Sequence, residues 1–290
     1  MKLKSMTVPP QGEGERVDRL IGRYFPELPE QSARAAFLRR DVKLDGKRVP
    51  RDTRARAGQE LKIYVAEDAE ERNLLEIVYE DADVLLVNKP AGISVEPDGK
   101  GGVTLTELCA RHTAAGDPGA PAPEACHRLD NQTSGLCLFA KNADALEILS
   151  DAFRARSLEK YYECLVRGVP KPAKAECAAW LVKDAKAGRV AVYDQPVPEG
   201  KRILTGYETI EAGPVSRLRV HLMTGRTHQI RAHLAALGHP ILGDDVYGDR
   251  MWNREKKVRG LRLCAVSLKL DTGGKLPAVD GREFTVKAPF

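Results

Sequence analysis

Near its start the chain alternates between two apolar rhythms. Val17, Leu20, Ile21, Tyr24 and Phe25 fall at i, i+3, i+4, i+7 and i+8, one face of an amphipathic helix that Pro26 and Pro29 end. Ser32 is suited to cap a second helix that turns Ala33, Ala36 and Phe37 inward and carries Arg34, Arg39 and Arg40 elsewhere on its surface. Val42 and Leu44, the pair Asp45-Gly46, and then Lys47-Arg48-Val49 predict a β-hairpin with a tight turn. Leu61, Ile63 and Val65 alternate as a closing strand. The rhythm stops in Glu67-Asp68-Ala69-Glu70-Glu71-Arg72-Asn73, a charged run that predicts a linker over residues 66–74.

Beyond it, Ile77-Val78-Tyr79 and Val84-Leu85-Leu86-Val87 predict neighbouring strands around an acidic turn, and the second leads into Asn88-Lys89-Pro90-Ala91-Gly92, a turn that presents a lysine. A helix is expected around Leu105, Leu108, Cys109 and His112, followed by a Gly/Pro/Ala loop from Ala114 to Ala125. The run Cys126-His127-Arg128-Leu129-Asp130-Asn131-Gln132-Thr133-Ser134-Gly135 then crowds two cations, a carboxylate, amides and hydroxyls against the apolar strand Leu136-Cys137-Leu138-Phe139-Ala140. Buried polar groups need partners or a ligand, since an unsatisfied one costs on the order of 1–3 kcal/mol. That density points to a functional site, with an aspartate capping a turn as the plainer alternative. Toward the end, Thr227 can cap a helix closing at Leu237, with Gly238 as its C-terminal cap and Pro240 beyond. Ile230, His233, Leu234 and Leu237 form its apolar stripe, and Arg231 lies about 100° from Ile230, either exposed or reaching into a cleft.

Composition narrows the class. A length of 290 residues suits one large domain or two. Hydrophobic content of 42% and charged content of 30% are those of a globular protein, and no apolar run approaches the roughly 18–20 residues of a membrane span. The basic start Met1-Lys2-Leu3-Lys4-Ser5-Met6 leads into Pro9, Pro10 and Gly12 rather than a signal-peptide core, so a cytoplasmic protein is expected. Six widely spaced cysteines match no zinc or redox motif and read as reduced interior residues. The net charge of +5 is uneven: residues 1–64 hold 15 Lys and Arg against 9 Asp and Glu. A local basic excess suits phosphate-backbone contact, and equally a solvated surface. A metal-dependent hydrolase built on His127, His228 and His233 is disfavoured, because residues 228 and 233 lie about 140° apart on a helix and cannot share one ion from one face.

Two helices followed by the hairpin Asp-Val-Lys-Leu-Asp-Gly-Lys-Arg-Val resemble the S4 domain, a small RNA-binding module, over residues 16 to about 65. That resemblance implies an RNA-contacting surface carrying Arg34, Arg39, Arg40, Lys47 and Arg48. The run His127-Arg128-Leu129-Asp130, with Thr133-Ser134-Gly135, a hydrophobic strand and Ala140-Lys141, resembles the central motif of the RluA family of pseudouridine synthases. Val87-Asn88-Lys89-Pro90-Ala91-Gly92, Lys160-Tyr161-Tyr162-Glu163-Cys164-Leu165-Val166 and Thr224-Gly225-Arg226-Thr227-His228-Gln229-Ile230-Arg231 resemble other motifs of that family, in family order, and Leu237 to Asp244 completes the last segment. The resemblance spans residues 75 to about 290.

It implies an RNA pseudouridine synthase that needs neither cofactor nor metal, with ribosomal RNA of the large subunit favoured over transfer RNA. Asp130 holds the family's catalytic position, attacking ribose C1′ or removing a proton from C2′; both routes stay open. Tyr162 matches the active-site tyrosine that stacks on uracil, core packing being its alternative, and Tyr161 is expected on the opposite face of the strand. Arg231 matches the arginine that pairs with the aspartate; a nearby cation favours a charged carboxylate. Arg128 matches the arginine that helps swing the uridine out of its stack, and His127 is expected to order the motif loop and stand in the substrate-binding set. Lys89, Thr133, Arg226 and Gln229 are further candidates for RNA contact. Glu96, Cys164 and Cys264 stand where the family more often has His, Ala and His. A non-catalytic RNA-binding protein would be expected to lose Asp130, Tyr162 or Arg231, and all three are present.

The expected architecture is α+β: an S4-like α/β domain over residues 1–65, the linker, and a catalytic domain over 75–290 whose mixed, largely antiparallel sheet carries flanking helices. A monomer that binds RNA and no membrane is expected.

Overall fold

The computed structural model describes residues 1–66, 74–99, 102–184, 188–258 and 260–290, so most of the expected linker lies outside the described residues. The chain divides into two compact units, Met1–Glu76 with Gly92–Ala122, and Ile77–Ala91 with Pro123–Phe290.

The first unit contains β1 (Lys2–Thr7), α1 (Val17–Tyr24), α2 (Glu30–Leu38), β2 (Val42–Leu44), β3 (Lys47–Arg48), β4 (Glu60–Val65) and α3 (Leu105–Gly116). Its sheet runs β1-β4-β2-β3, with β4 antiparallel to both neighbours. Val17, Leu20 and Ile21 of α1, Ala36 of α2 and Val42, Leu61 and Ile63 of the sheet form its core, the face that the spacing predicts. Asp45 and Gly46 both take positive φ, 46° and 76°, as a two-residue hairpin turn requires. One expectation fails: α2 starts at Glu30, and Ser32 sits inside its first turn. Pro29 holds the cap position, where its missing N–H removes nothing from the helix. α3 is opened by a reciprocal capping box between Thr104 and Glu107, and it runs to Gly116, taking the first residues of the stretch expected as a loop.

The second unit holds β5 (Glu76–Glu80), β6 (Val84–Lys89), β7 (Glu124–Ala125), β8 (Ser134–Ala140), α4 (Ala143–Ala155), β9 (Glu159–Arg167), β10 (Lys174–Asp184), β11 (Arg189–Tyr193), β12 (Lys201–Glu211), β13 (Val215–Leu222), α5 (Gln229–Ala236), α6 (Arg250–Glu255), β14 (Leu263–Lys269) and β15 (Glu283–Thr285). One sheet runs β11-β10-β12-β13-β9-β14-β8-β6-β5, with β15 beside β14 and β7 beside β8. It is mixed and largely antiparallel: β8 and β14 are parallel, while β9 is antiparallel to β13 and β14, and β6 to β8. Every residue of β8 is buried, as a strand covered on both faces should be. Gly135 has φ 108°, and a Cβ there would lie 2.2 Å from the Ala265 carbonyl oxygen, so the β8–β14 seam closes only on glycine. Leu136, Leu138, Ala145, Leu149 and Leu268 pack α4 onto this part of the sheet. All six cysteines are free thiols, four of them buried. No helix among the described residues is long and apolar enough to cross a membrane.

Candidate active site

Asp130 lies in the loop between β7 and β8. Its carbonyl accepts the Thr133 N–H at 3.0 Å, which folds the loop into a turn just before the buried strand. Lys89, at the end of β6, fixes the same loop from behind. Its Nζ donates to the carbonyls of Pro90 and Asn131, each at 3.0 Å, and its side chain is 0% exposed. Burial lowers the Lys89 ammonium to about 8, against the pull of nearby groups that include Asp130.

Arg231 reaches the loop from α5. Its Nη1 donates to Asp130 Oδ2 at 3.0 Å, while Nε and Nη2 make a bidentate pair with Asp244 at 2.8 and 2.9 Å. Only 5% of Arg231 is exposed, so it is neither a surface arginine nor a mobile one. Burial works against its charge, but the hydrogen bonds and charge of Asp244, with Asp130 behind them, hold the guanidinium above its ordinary value. Asp244 also accepts the N–H groups of Val246 and Tyr247. Arg231 and these N–H groups outweigh burial and keep its carboxyl below the ordinary range. The fixed guanidinium fork thus aims one remaining N–H at Asp130.

α5 is not capped as expected. His228, not Thr227, precedes the helix, and the Gln229 side chain reaches back to accept the Arg226 N–H at 3.1 Å. Gly238 does take the left-handed conformation after the helix, φ 87°. His228 Nε2 stands 3.8 Å from Asp130 Oδ2, and its Nδ1 is 2.9 Å from the Tyr247 hydroxyl.

Tyr162 is buried on β9, on the opposite face from Tyr161, which stacks on His221. Burial first, and then the Asp130 charge, push the Tyr162 hydroxyl above its ordinary value, so the ring is neutral at physiological pH. Arg128 and Arg226 are exposed. Of the four other residues expected to contact substrate, Lys89, Gln229 and Thr133 are buried and His127 is half-buried. Lys89 is spent on backbone carbonyls. Gln229, 2% exposed, bonds Thr224, Thr205 and the Leu204 carbonyl. Thr133 is buried, and its hydroxyl has no hydrogen-bond partner among the described residues. His127 packs on Phe153 and accepts the Leu138 N–H through Nε2 at 3.2 Å, a bond between the motif loop and β8. Burial, reinforced by the charge of Lys160, lowers that ring to about 3.

His228, Asp244 and Tyr247 complete the constellation and were not among the expected site residues. Asp244 closes the last motif, but Tyr247 lies in a polar turn whose apolar pattern gives no sign of it. The three histidines of a metal-dependent hydrolase do not converge, for His127, His228 and His233 are engaged separately with Leu138, Tyr247 and Thr205. Among the described residues no three His, Cys, Asp or Glu side chains gather as metal ligands.

A buried arginine fork thus orients one carboxylate, with a buried tyrosine and exposed arginines on the same mixed sheet. The family model described as RNA pseudouridylate synthase matches residues 83–236. An uncharacterized RNA pseudouridine synthase of Aquifex aeolicus is 32% identical over 271 residues, 87% of this chain and 82% of that protein. The ribosomal large subunit pseudouridine synthase D of Yersinia pestis is 33% identical over 256 residues, covering 85% and 77%. The ribosomal large subunit pseudouridine synthase C of Vibrio vulnificus is 32% identical, covering 86% and 81%. The solved structure of human RNA pseudouridylate synthase domain containing 1 superposes with a TM-score of 0.62 at 28% identity, covering 76% of this chain and 87% of that one. The chain belongs to the RNA pseudouridylate synthase family, in its RluA branch, and is an RNA pseudouridine synthase.

Proposed function

We propose that this enzyme converts uridine in ribosomal RNA, in the large subunit, to pseudouridine, with Asp130 as the reacting carboxylate. The observation that carries the reading is the 3.0 Å contact between Asp130 Oδ2 and an arginine that is itself locked by Asp244. Isomerisation breaks the bond between ribose C1′ and uracil N1, turns the base, joins C1′ to C5, and moves a proton from C5 to N1. A carboxylate serves either by bonding to C1′ or by taking and returning the C2′ proton, and an oriented, ion-paired Asp130 suits both. Tyr162, neutral and buried beside it, offers a ring for uracil to stack on and a hydroxyl toward C5. Arg128 and Arg226 are the exposed cations of the matching motifs and are assigned to the flipped nucleotide and its backbone.

Ribosomal RNA is supported by the large-subunit synthases C and D among the relatives. Residues 1–65 are assigned to RNA binding as an S4-like module, since Arg34 on α2, Arg39 and Arg40 in the turn after it, and Lys47 and Arg48 on the β2–β3 hairpin are all exposed. The enzyme is assigned to the cytoplasm and to action as a monomer. Tritium release from RNA labelled at uridine C5 tests the chemistry: wild type releases it and Asp130→Asn does not. Retained release by that variant sinks the assignment. Chemical mapping of pseudouridine across cellular RNA, with and without the gene, tests the substrate, and a lost site outside ribosomal RNA rejects it.

A further inference from the structure

His228 begins α5 in a left-handed backbone conformation, φ 54° and ψ 17°. Side chains other than glycine seldom take it, and such residues gather at functional sites where their surroundings hold them. What surrounds His228 is specific. Its Nδ1 lies 2.9 Å from the Tyr247 hydroxyl, and that hydroxyl oxygen already accepts the Val190 N–H of β11 at 2.9 Å. The Tyr247 ring meets the imidazole edge-on, with centroids 5.6 Å apart, and its face lies 5.3 Å from the Arg231 guanidinium.

Tyr247 has one hydroxyl proton, and His228 Nδ1 is the acceptor placed to receive it among the described residues. An imidazole that accepts at Nδ1 carries its proton on Nε2. That Nε2 faces Asp130 Oδ2 at 3.8 Å, the oxygen that Arg231 already holds at 3.0 Å. Two donors therefore converge on one carboxylate oxygen.

We propose that His228 is a positioning residue for the isomerisation, locked by Tyr247 in its Nε2–H form so that it joins Arg231 on Asp130 Oδ2 and leaves Oδ1 to face the ribose. The inference rests on the reading of Asp130 as the reacting carboxylate. The 3.8 Å gap is longer than a hydrogen bond, and such contacts commonly tighten when substrate enters and water leaves. The charged and titratable groups around the ring are Asp130, Arg231, Asp244, Asp245 and Tyr247. Burial lowers the imidazole below its ordinary value despite the pull of Asp130, so it adds a hydrogen bond without a second positive charge. Among the described residues Asp130 is thereby oriented twice, with the positive charge supplied by Arg231.

Two measurements on the full-length protein test this. Imidazole ¹⁵N chemical shifts at neutral pH, with His228 assigned by its absence in His228→Gln, should show a bare Nδ1 and a protonated Nε2. Tyr247→Phe should give mixed tautomers. With saturating RNA, His228→Ala should lower kcat about 10- to 100-fold, the scale of one hydrogen bond to a charged group, with KM little changed. His228→Gln, whose amide can offer an N–H from nearly the same place, should recover most of that loss. A wild-type Nδ1–H tautomer, equal kcat in the Ala and Gln variants, or a loss confined to KM overturns the proposal. If His228→Ala does not fold, the Gln and Tyr247→Phe variants carry the comparison through tautomer and kcat together. Full activity in Asp130→Asn would overturn the Asp130 reading and this one with it, whereas an inactive Asp130→Asn beside a fully active His228→Ala overturns this one alone.

Discussion

Arg231 carries two obligations, and they can be separated. It neutralises Asp244, whose side chain is 0% exposed, and it orients Asp130. Arg231→Ala would strand a buried carboxylate, so the protein should lose about 3–5 kcal/mol in urea denaturation along with its tritium release. Arg231→Gln combined with Asp244→Asn should restore most of that stability, since Asn can still accept the Val246 and Tyr247 N–H groups, and none of the activity. The contact between Asp130 and Arg231 was legible in the sequence because both fall inside dense, ordered motifs. Tyr247 and the tautomer of His228 were not, because a residue that acts by holding another leaves no periodicity and only the folded chain brings it near. Lys89 and Gln229 show the converse, for polar residues within a motif were expected at the RNA and are instead its internal bracing.

Elements built on the motifs carry their own tests. The β8–β14 seam admits no side chain at residue 135, and Gly135→Ala should destabilise by about 3 kcal/mol or more, from backbone strain and overpacking together. Thermal unfolding measures it, and an unchanged midpoint would contradict the close approach to Ala265. His127 ties β8 to the motif loop as a neutral ring. Its folded value of about 3 lies below the ordinary 6.5, so the unfolded chain takes up a proton first as the pH falls. Stability present above about pH 6.5 is therefore lost progressively toward about pH 3. His127→Gln should flatten that part of a stability-against-pH curve, and an unaltered slope would count against a ring held neutral in the folded chain. Strands and helices were readable from apolar spacing, but two caps were not. Ser32 and Thr227 have the right chemistry for a cap, yet Pro29 starts α2 earlier and the reach of Gln229 starts α5 later, choices that depend on local backbone rather than residue type.

For the whole molecule, the charge asymmetry and the five exposed cations of the first unit make a prediction about RNA rather than about folding. Replacing Arg34, Arg39, Arg40, Lys47 and Arg48 by Gln should leave the folded state nearly as stable, because all five are exposed. It should weaken binding and reduce the slope of log affinity against log salt by roughly 0.7–0.9 for each phosphate that is no longer neutralised. An unchanged slope in filter binding at several salt concentrations would remove this surface from RNA recognition. Isomerisation of a short RNA fragment at saturation should continue. The charged run before residue 74 predicts one break in the chain, whereas nothing in the apolar rhythm predicts the grouping of Gly92–Ala122 with the first unit.

That grouping means the chain passes from one unit to the other three times, after Glu76, after Ala91 and after Ala122. The core of the first unit nevertheless runs only from Val8 to Val65 and includes no residue of α3, so all of it has been synthesised once β4 is made. At about 5–20 residues per second the rest of the chain takes on the order of ten seconds or more, long against the folding of many small domains. The first core can therefore form while most of the second unit is still being made.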